Sequence, residues 1–78
     1  MDQQVRFVYA FPVYNDAGSH YTPHAHLVHE LVLVHNGRLR SRVGDEERVA
    51  VQGDILFYTA RTVHEEWVES KATVMTWA

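Results

Sequence analysis

Polar and apolar residues alternate along much of this chain with the period of two that suits a half-buried β-strand, and no eleven-residue window carries the 3.6 period of an amphipathic helix. Gln3 to Tyr14 is rich in Val, Phe and Tyr and predicts a first strand, with Pro12 favouring a sheet edge or strand end. Asn15-Asp16-Ala17-Gly18-Ser19 has the chemistry of a turn. From Leu31 to His35 the run LVLVH predicts a strand buried on both faces, and the Asn36-Gly37 that follows predicts a tight reversal. Arg38, Arg40 and Arg42 then alternate with Leu39, Ser41 and Val43, and Gly44-Asp45 closes that strand. Alternation resumes over Arg48 to Val51, with Val49 and Val51 expected inward. Gln52-Gly53-Asp54 is a second turn and Ile55-Leu56-Phe57-Tyr58 an apolar strand; after TARTVHEEW comes a last strand, Lys71 to Trp77.

Turn signals recur about every eight to twelve residues, which predicts an antiparallel all-β sandwich or barrel in a single domain, residues 1–78, with no repeat or linker. A chain of 78 residues buries only roughly 60 to 65% of its unfolded surface, so its stability is thin. With no cysteine, the devices left to brace so small a scaffold are a histidine-rich metal site or oligomerisation.

The chemistry concentrates in GSHYTPHAHLVHELVLVHNG, Gly18 to Gly37, which holds five of the six histidines. In an extended strand His24 and His26 leave the same face about 6.6 Å apart, so both imidazoles can face one point. Glu30 shares their parity, with Val28, Val32 and Val34, but in a straight strand it would lie about 13 Å beyond His26. A shared ion at about 2 Å from each ligand therefore requires a bulge or turn around Leu27 to His29. Two imidazoles and a carboxylate suit a divalent zinc, iron, nickel or manganese ion; the other reading of His24 and His26 is polar lining of an organic-ligand pocket. His20 and His35 read as surface residues, and His29, of opposite parity, as facing outward or into an interface.

The formal charge of −3 argues against a nucleic-acid surface. Three alternating arginines could form a phosphate-binding stripe, but Asp45, Glu46 and Glu47 beside them favour cross-strand ion pairs on a solvated face. No apolar run approaches the roughly 18 residues of a membrane span and MDQQVRFVYAFP has no signal-peptide form, so the expected location is cytoplasmic, with no membrane contact.

The spacing Gly18, His24, His26, Glu30, Gly37 resembles the first motif of the cupin superfamily at every position. Gly53, Thr59, Arg61, His64 resembles the second, over residues 53–68, with Thr and Arg where proline and glycine are usual and Val68 where asparagine is usual. The resemblance implies a small antiparallel β-barrel or jelly-roll of the RmlC-like cupin type, with His24, His26, Glu30 and His64 as metal ligands and a turn between the paired histidines and the glutamate. His64 has a second reading, as a histidine bonded to Glu65 or Glu66 at a barrel corner.

More narrowly, HAHLVHELVLVHNGRL and GDILFYTARTVHEEW look like the N-terminal effector-binding and dimerisation domain of AraC-type transcription regulators. That resemblance implies a small-molecule effector and a homodimer. DNA contact in such regulators belongs to a separate helix-turn-helix domain, for which 78 residues leave no room, so this chain is not expected to touch nucleic acid. A stand-alone metal-dependent cupin enzyme of dioxygenase or isomerase type is the alternative. Tyr58 and Trp67 are the expected aromatic walls of the ligand pocket, unless each is ordinary core packing. The last strand, ending Val74-Met75-Thr76-Trp77, is expected to leave a sheet edge for a second copy to pair with or cover.

Overall fold

Two long strands of 14 residues each, Glu30–Val43 and His64–Trp77, run antiparallel and set the positions of everything else. The computed structural model describes residues 9–78, so the part of the expected first strand at 3–8 lies outside the described residues. Among the described residues there are six strands and no helix: β1 (Ala10–Asn15), β2 (His20–His24), β3 (Glu30–Val43), β4 (Glu46–Val51), β5 (Ile55–Tyr58) and β6 (His64–Trp77).

Each long strand changes neighbour along its length. The first half of β3 pairs with β5 and the second half with β4; β6 pairs first with β2 and then with β1. The sheet therefore folds into two four-stranded leaves, β1-β6-β3-β5 and β2-β6-β3-β4. Side chains meet across the space between them: the Tyr58 hydroxyl on β5 and the Ser41 hydroxyl on β3 share a 2.5 Å hydrogen bond, and the Tyr21 hydroxyl on β2 donates to Asn15 Oδ1 on β1. The result is an all-β antiparallel fold, as the alternation and turn spacing predicted, and a small barrel of jelly-roll type, as the resemblance implied. Its core is small, built from Val32, Val34, Leu39, Ala50, Leu56, Tyr58, Val68, Ala72 and Val74.

Asn36-Gly37 is a bulge inside β3 and not a reversal. The pairing of β3 with β6 is irregular between Val34 and Leu39, where five residues of β3 span six of β6. Asn36 Oδ1 accepts the Thr73 N–H at 3.0 Å and keeps the strand attached to its neighbour. Gly37 has φ +90°, and a Cβ there would stand 2.5 Å from the Lys71 carbonyl oxygen and 2.6 Å from Ala72. A tight turn and a bulge both need a residue at positive φ, so the dipeptide alone does not separate them. The reversal falls at Gly44-Asp45, which sets Val43 opposite Glu46.

The odd step exchanges the faces of β3. Before the bulge the even residues Val32 and Val34 are buried; after it the odd residues Leu39 and Ser41 are. Arg38, Arg40 and Arg42 are thereby turned outward, where they pair with Glu69 (2.8 Å), Glu47 and Glu69 (both 3.3 Å), and Glu65 (3.0 Å). The cross-strand reading of the arginines holds, with β6 supplying carboxylates as well as β4.

Three further expectations are corrected. Leu31 and Leu33 are only half-buried, so that stretch of β3 is not enclosed on both faces. The register sets Ala50 against Leu39 and buries it, which points Val49 and Val51 out. The last strand starts at His64, not Lys71, and lies between β1 and β3, so it leaves no edge for another copy to pair with.

Gly37→Ala is expected to lose about 3 kcal/mol or more in urea denaturation, since its Cβ overlaps backbone that must move. Gly53→Ala, with the same φ of +90° but no atom within 4 Å, should lose only the roughly 1 to 2 kcal/mol of the left-handed backbone conformation.

Candidate functional site

β2 ends on His24, and its register sets that residue opposite His64 at the start of β6. Pairing stops there, the chain bends at Leu27-Val28, and β3 begins on Glu30. The bend that the distance argument required is present. It brings Glu30 back over the histidines, with its carboxylate oxygens 3.7 Å from His26 Nε2 and 3.7 Å from His64 Nε2. One ring nitrogen from each of His24, His26 and His64 lies within 4.8 Å of the others. All four residues named as ligands therefore converge at the end of the barrel, between the two leaves.

Two of the rings have their tautomer fixed. His24 Nδ1 lies 2.7 Å from the Thr22 carbonyl and His64 Nδ1 2.9 Å from the Thr62 carbonyl. A carbonyl oxygen only accepts, so each Nδ1 carries the proton and each Nε2 presents a lone pair. His64 is 1% exposed and its Nε2 has no hydrogen-bond partner, an omission that ordinarily costs about 1 to 3 kcal/mol. Burial lowers its pKa and favours the neutral ring, an effect the Thr62 carbonyl partly offsets. The gaps of 3.7 Å to Glu30 are too long for hydrogen bonds and short enough for both groups to ligate one ion at about 2.1 Å. This donor set fits a divalent metal.

Tyr58 stands behind the site and not on its wall. Its ring stacks on that of His64, with centroids 3.8 Å apart and planes 11° from parallel, while its hydroxyl is held by Ser41. Trp67 is on the outer face of β6, its ring between that of His20 (5.1 Å) and the Arg40 guanidinium (4.2 Å). A cavity of about 220 Å³ opens beside the histidines, and its aromatic walls are Phe11 and Tyr21. Val32, Leu39 and Val74 give it an apolar floor, while Asn15, Thr76 and Glu66 add polar groups. Neither expected aromatic lines it, because strand parity sends Trp67 outward and β5 places Tyr58 on the far side of His64.

Glu66 was legible by parity and was missed: it stands two residues beyond His64 on the same strand face. Burial first, and then the neighbouring Glu30 carboxylate, raise its pKa to about 7. The other histidines do structural work. His20 is not a plain surface residue, since its Nε2 meets Glu65 Oε2 at 2.6 Å. His29 Nδ1 accepts the Ala60 N–H at 2.8 Å, and the next amide, Arg61 N–H, donates to the His26 carbonyl at 2.6 Å, so the loop after β5 is latched to the bend that carries the site. Arg61 occupies positive φ (+65°) at the place where the second motif usually has glycine. His35 is exposed, as expected.

Glu66 makes the metal-free protein pH-sensitive. Its folded pKa of about 7 exceeds the ordinary 4.5, so the native state binds the proton more tightly and stability falls as pH rises from 4.5 through 7. Glu66→Gln should gain on the order of 2 kcal/mol over wild type in urea denaturation at pH 8 and almost nothing at pH 5. Equal gains at both pH values would contradict the assignment.

Against known proteins, the AraC-like ligand binding domain family matches residues 10–78. No curated protein matches the chain. Solved structures match its fold. A cupin-2 domain protein from Shewanella frigidimarina superposes with a TM-score of 0.80 at 15% identity, covering 100% of this chain and 83% of that one. KdgF from Halomonas sp. gives 0.79 at 24% identity, covering 92% and 74%, and the DMSP lyase DddQ from Ruegeria pomeroyi gives 0.79 at 24%, covering 87% and 36%. At these identities the structures speak for the cupin fold alone; the family match covers nearly all of the described residues, and the chain belongs to the AraC-like ligand binding domain family.

Proposed function

We propose that this chain is the small-molecule-sensing and dimerisation cupin domain of a cytoplasmic AraC-like transcription regulator, with a divalent metal or a polar ligand held in the barrel by His24, His26, Glu30 and His64. The observation that carries the site is the buried Nε2 of His64, which has no partner and stands in a cluster with two further imidazoles and a carboxylate. Zinc, iron, nickel and manganese all suit such donors. When bound, the ion would serve as a Lewis acid that anchors and polarises an oxygen of the effector.

The chain's own residues do the rest. Thr22 and Thr62 hold two rings in the ligating tautomer, and Tyr58 fixes the plane of His64. Phe11, Tyr21 and Glu66 come from three different strands, so an effector that touches all three draws β1, β2 and β6 together. A cavity of about 220 Å³, the volume of about seven waters, suits a small effector.

One observation favours the second reading, a metal-dependent cupin enzyme. Glu66 gives the cavity a carboxyl that exchanges its proton near neutral pH, which suits a general acid or base. A structural neighbour from Ruegeria pomeroyi is a DMSP lyase. Effector-dependent operator binding by the full-length gene product supports the sensor; turnover of a small molecule without it supports the enzyme.

Elemental analysis of untagged protein should find about one divalent ion per chain, lost in His24→Ala and His64→Ala. Binding should weaken in acid, because an imidazole that takes up a proton has no lone pair left for the ion. Wild type that arrives metal-free and gains no thermal stability from added zinc, iron, nickel or manganese would remove the four-ligand site.

A further inference from the structure

Where the paired strands end, the site is carried on two loops. One is the bend at residues 25–29, with His26 on it and His24 and Glu30 at its ends; the other is the loop at residues 59–63, which leads into His64. Three hydrogen bonds tie the second loop to the site. The Ala60 N–H donates to His29 Nδ1 at 2.8 Å, the Arg61 N–H to the His26 carbonyl at 2.6 Å, and the His64 Nδ1–H to the Thr62 carbonyl at 2.9 Å. Within the loop, the Thr62 N–H donates to the Thr59 carbonyl at 3.1 Å and the two threonine hydroxyls meet at 2.6 Å, so it is a turn that moves as one piece.

We infer that His29 is a positioning residue of the metal site: its Nδ1 holds the loop 59–63 against the bend, and through that loop it keeps His26 and His64 in place for a shared ion. The inference deepens the proposed function and rests on its reading of His24, His26, Glu30 and His64 as ligands.

Three observations support the role. The loop needs holding, because Arg61 is the one non-glycine residue at positive φ among the described residues, at +65°, a conformation that persists only where the surroundings impose it. Of the two bonds that cross from loop to bend, the one to His26 uses a backbone carbonyl that any residue there would supply. The other depends on the side chain of His29, whose ring is itself set against Phe57 of β5 with centroids 5.8 Å apart. Finally, a nitrogen that accepts an N–H carries no proton, so the His29 ring is protonated at Nε2, the tautomer opposite to that of His24 and His64. A shift of the loop would reach both sides of the cluster, through the Thr62 carbonyl to the ring of His64 and through the His26 carbonyl to the backbone that bears the His26 ring.

Zinc affinity, measured at pH 8 by competition with a chromophoric chelator, should fall about tenfold in His29→Ala, the low end of the loss seen when a group supporting a metal ligand is removed. His29→Asn, whose Oδ1 offers an acceptor for the same amide, should restore it to near wild type. His35→Ala, which removes an exposed histidine, should leave it unchanged. Nitrogen-15 NMR of the metal-free wild type should show His29 protonated at Nε2. Wild type that binds no zinc would overturn the inference together with the metal site. Unchanged affinity in His29→Ala, equal losses in His29→Ala and His29→Asn, or a wild-type His29 ring protonated at Nδ1 would each overturn the positioning role and leave the metal site standing. The ring measurement needs no variant, so it decides even where His29→Ala fails to fold.

Discussion

The close passage of β3 over β6 at Gly37 is the constraint on which the rest of the structure depends. No side chain fits between Gly37 and the Lys71-Ala72 backbone, and in the irregular stretch around it, Val34 to Leu39, the two long strands fall one residue out of step. Without that step, the residues of even number that point inward at Val32 and Val34 would continue to do so, and three arginines would enter a barrel of nine core residues. Burying three unpaired guanidiniums would cost far more than so thin a core returns. With it, Leu39 and Ser41 face in, and Ser41 is where the Tyr58 hydroxyl needs a partner. Tyr58 in turn backs the ring of His64. Thus a steric fact at one glycine reaches the site through two contacts.

The site itself runs against stability. His64 leaves a buried nitrogen unsatisfied, burial and then the neighbouring Glu30 carboxylate hold the pKa of Glu66 up at about 7, and Arg61 sits in a backbone conformation that glycine would occupy more easily. In a chain with so small a core these are large concessions, and local rules are broken in this way where a structure is prepared for a ligand. An ion or effector that satisfies the histidine nitrogen and the carboxylates would stabilise the folded state by binding it alone.

Much of this was legible in the sequence because a strand has only two faces. Parity joined His24 to His26, and a simple length argument showed that Glu30 required a bend, found at Leu27-Val28. His64 came only from the second motif's spacing, since nothing local ties it to β2. Parity failed wherever a residue was inserted or a partner strand was unknown: Asn36-Gly37 carries the same chemistry as a turn and as a bulge, and the facing of Val49 and Val51 depends on a register set at Gly44-Asp45. Size singles out Trp67 and Tyr58 in the sequence, whereas the wall of the cavity is decided by which strands flank β6. That brought in Phe11 and Tyr21 from the other end of the sequence.

The most direct measurement of the central claim is nitrogen-15 NMR of the six histidine rings in metal-free protein near pH 8, repeated after addition of zinc. The structure predicts His24 and His64 as the tautomer protonated at Nδ1, with Nε2 resonances that shift on metal addition together with His26, while His20, His29 and His35 stay in place. Protonation at Nε2 of His24 or His64, or a metal response centred on His20, His29 or His35, would contradict the account.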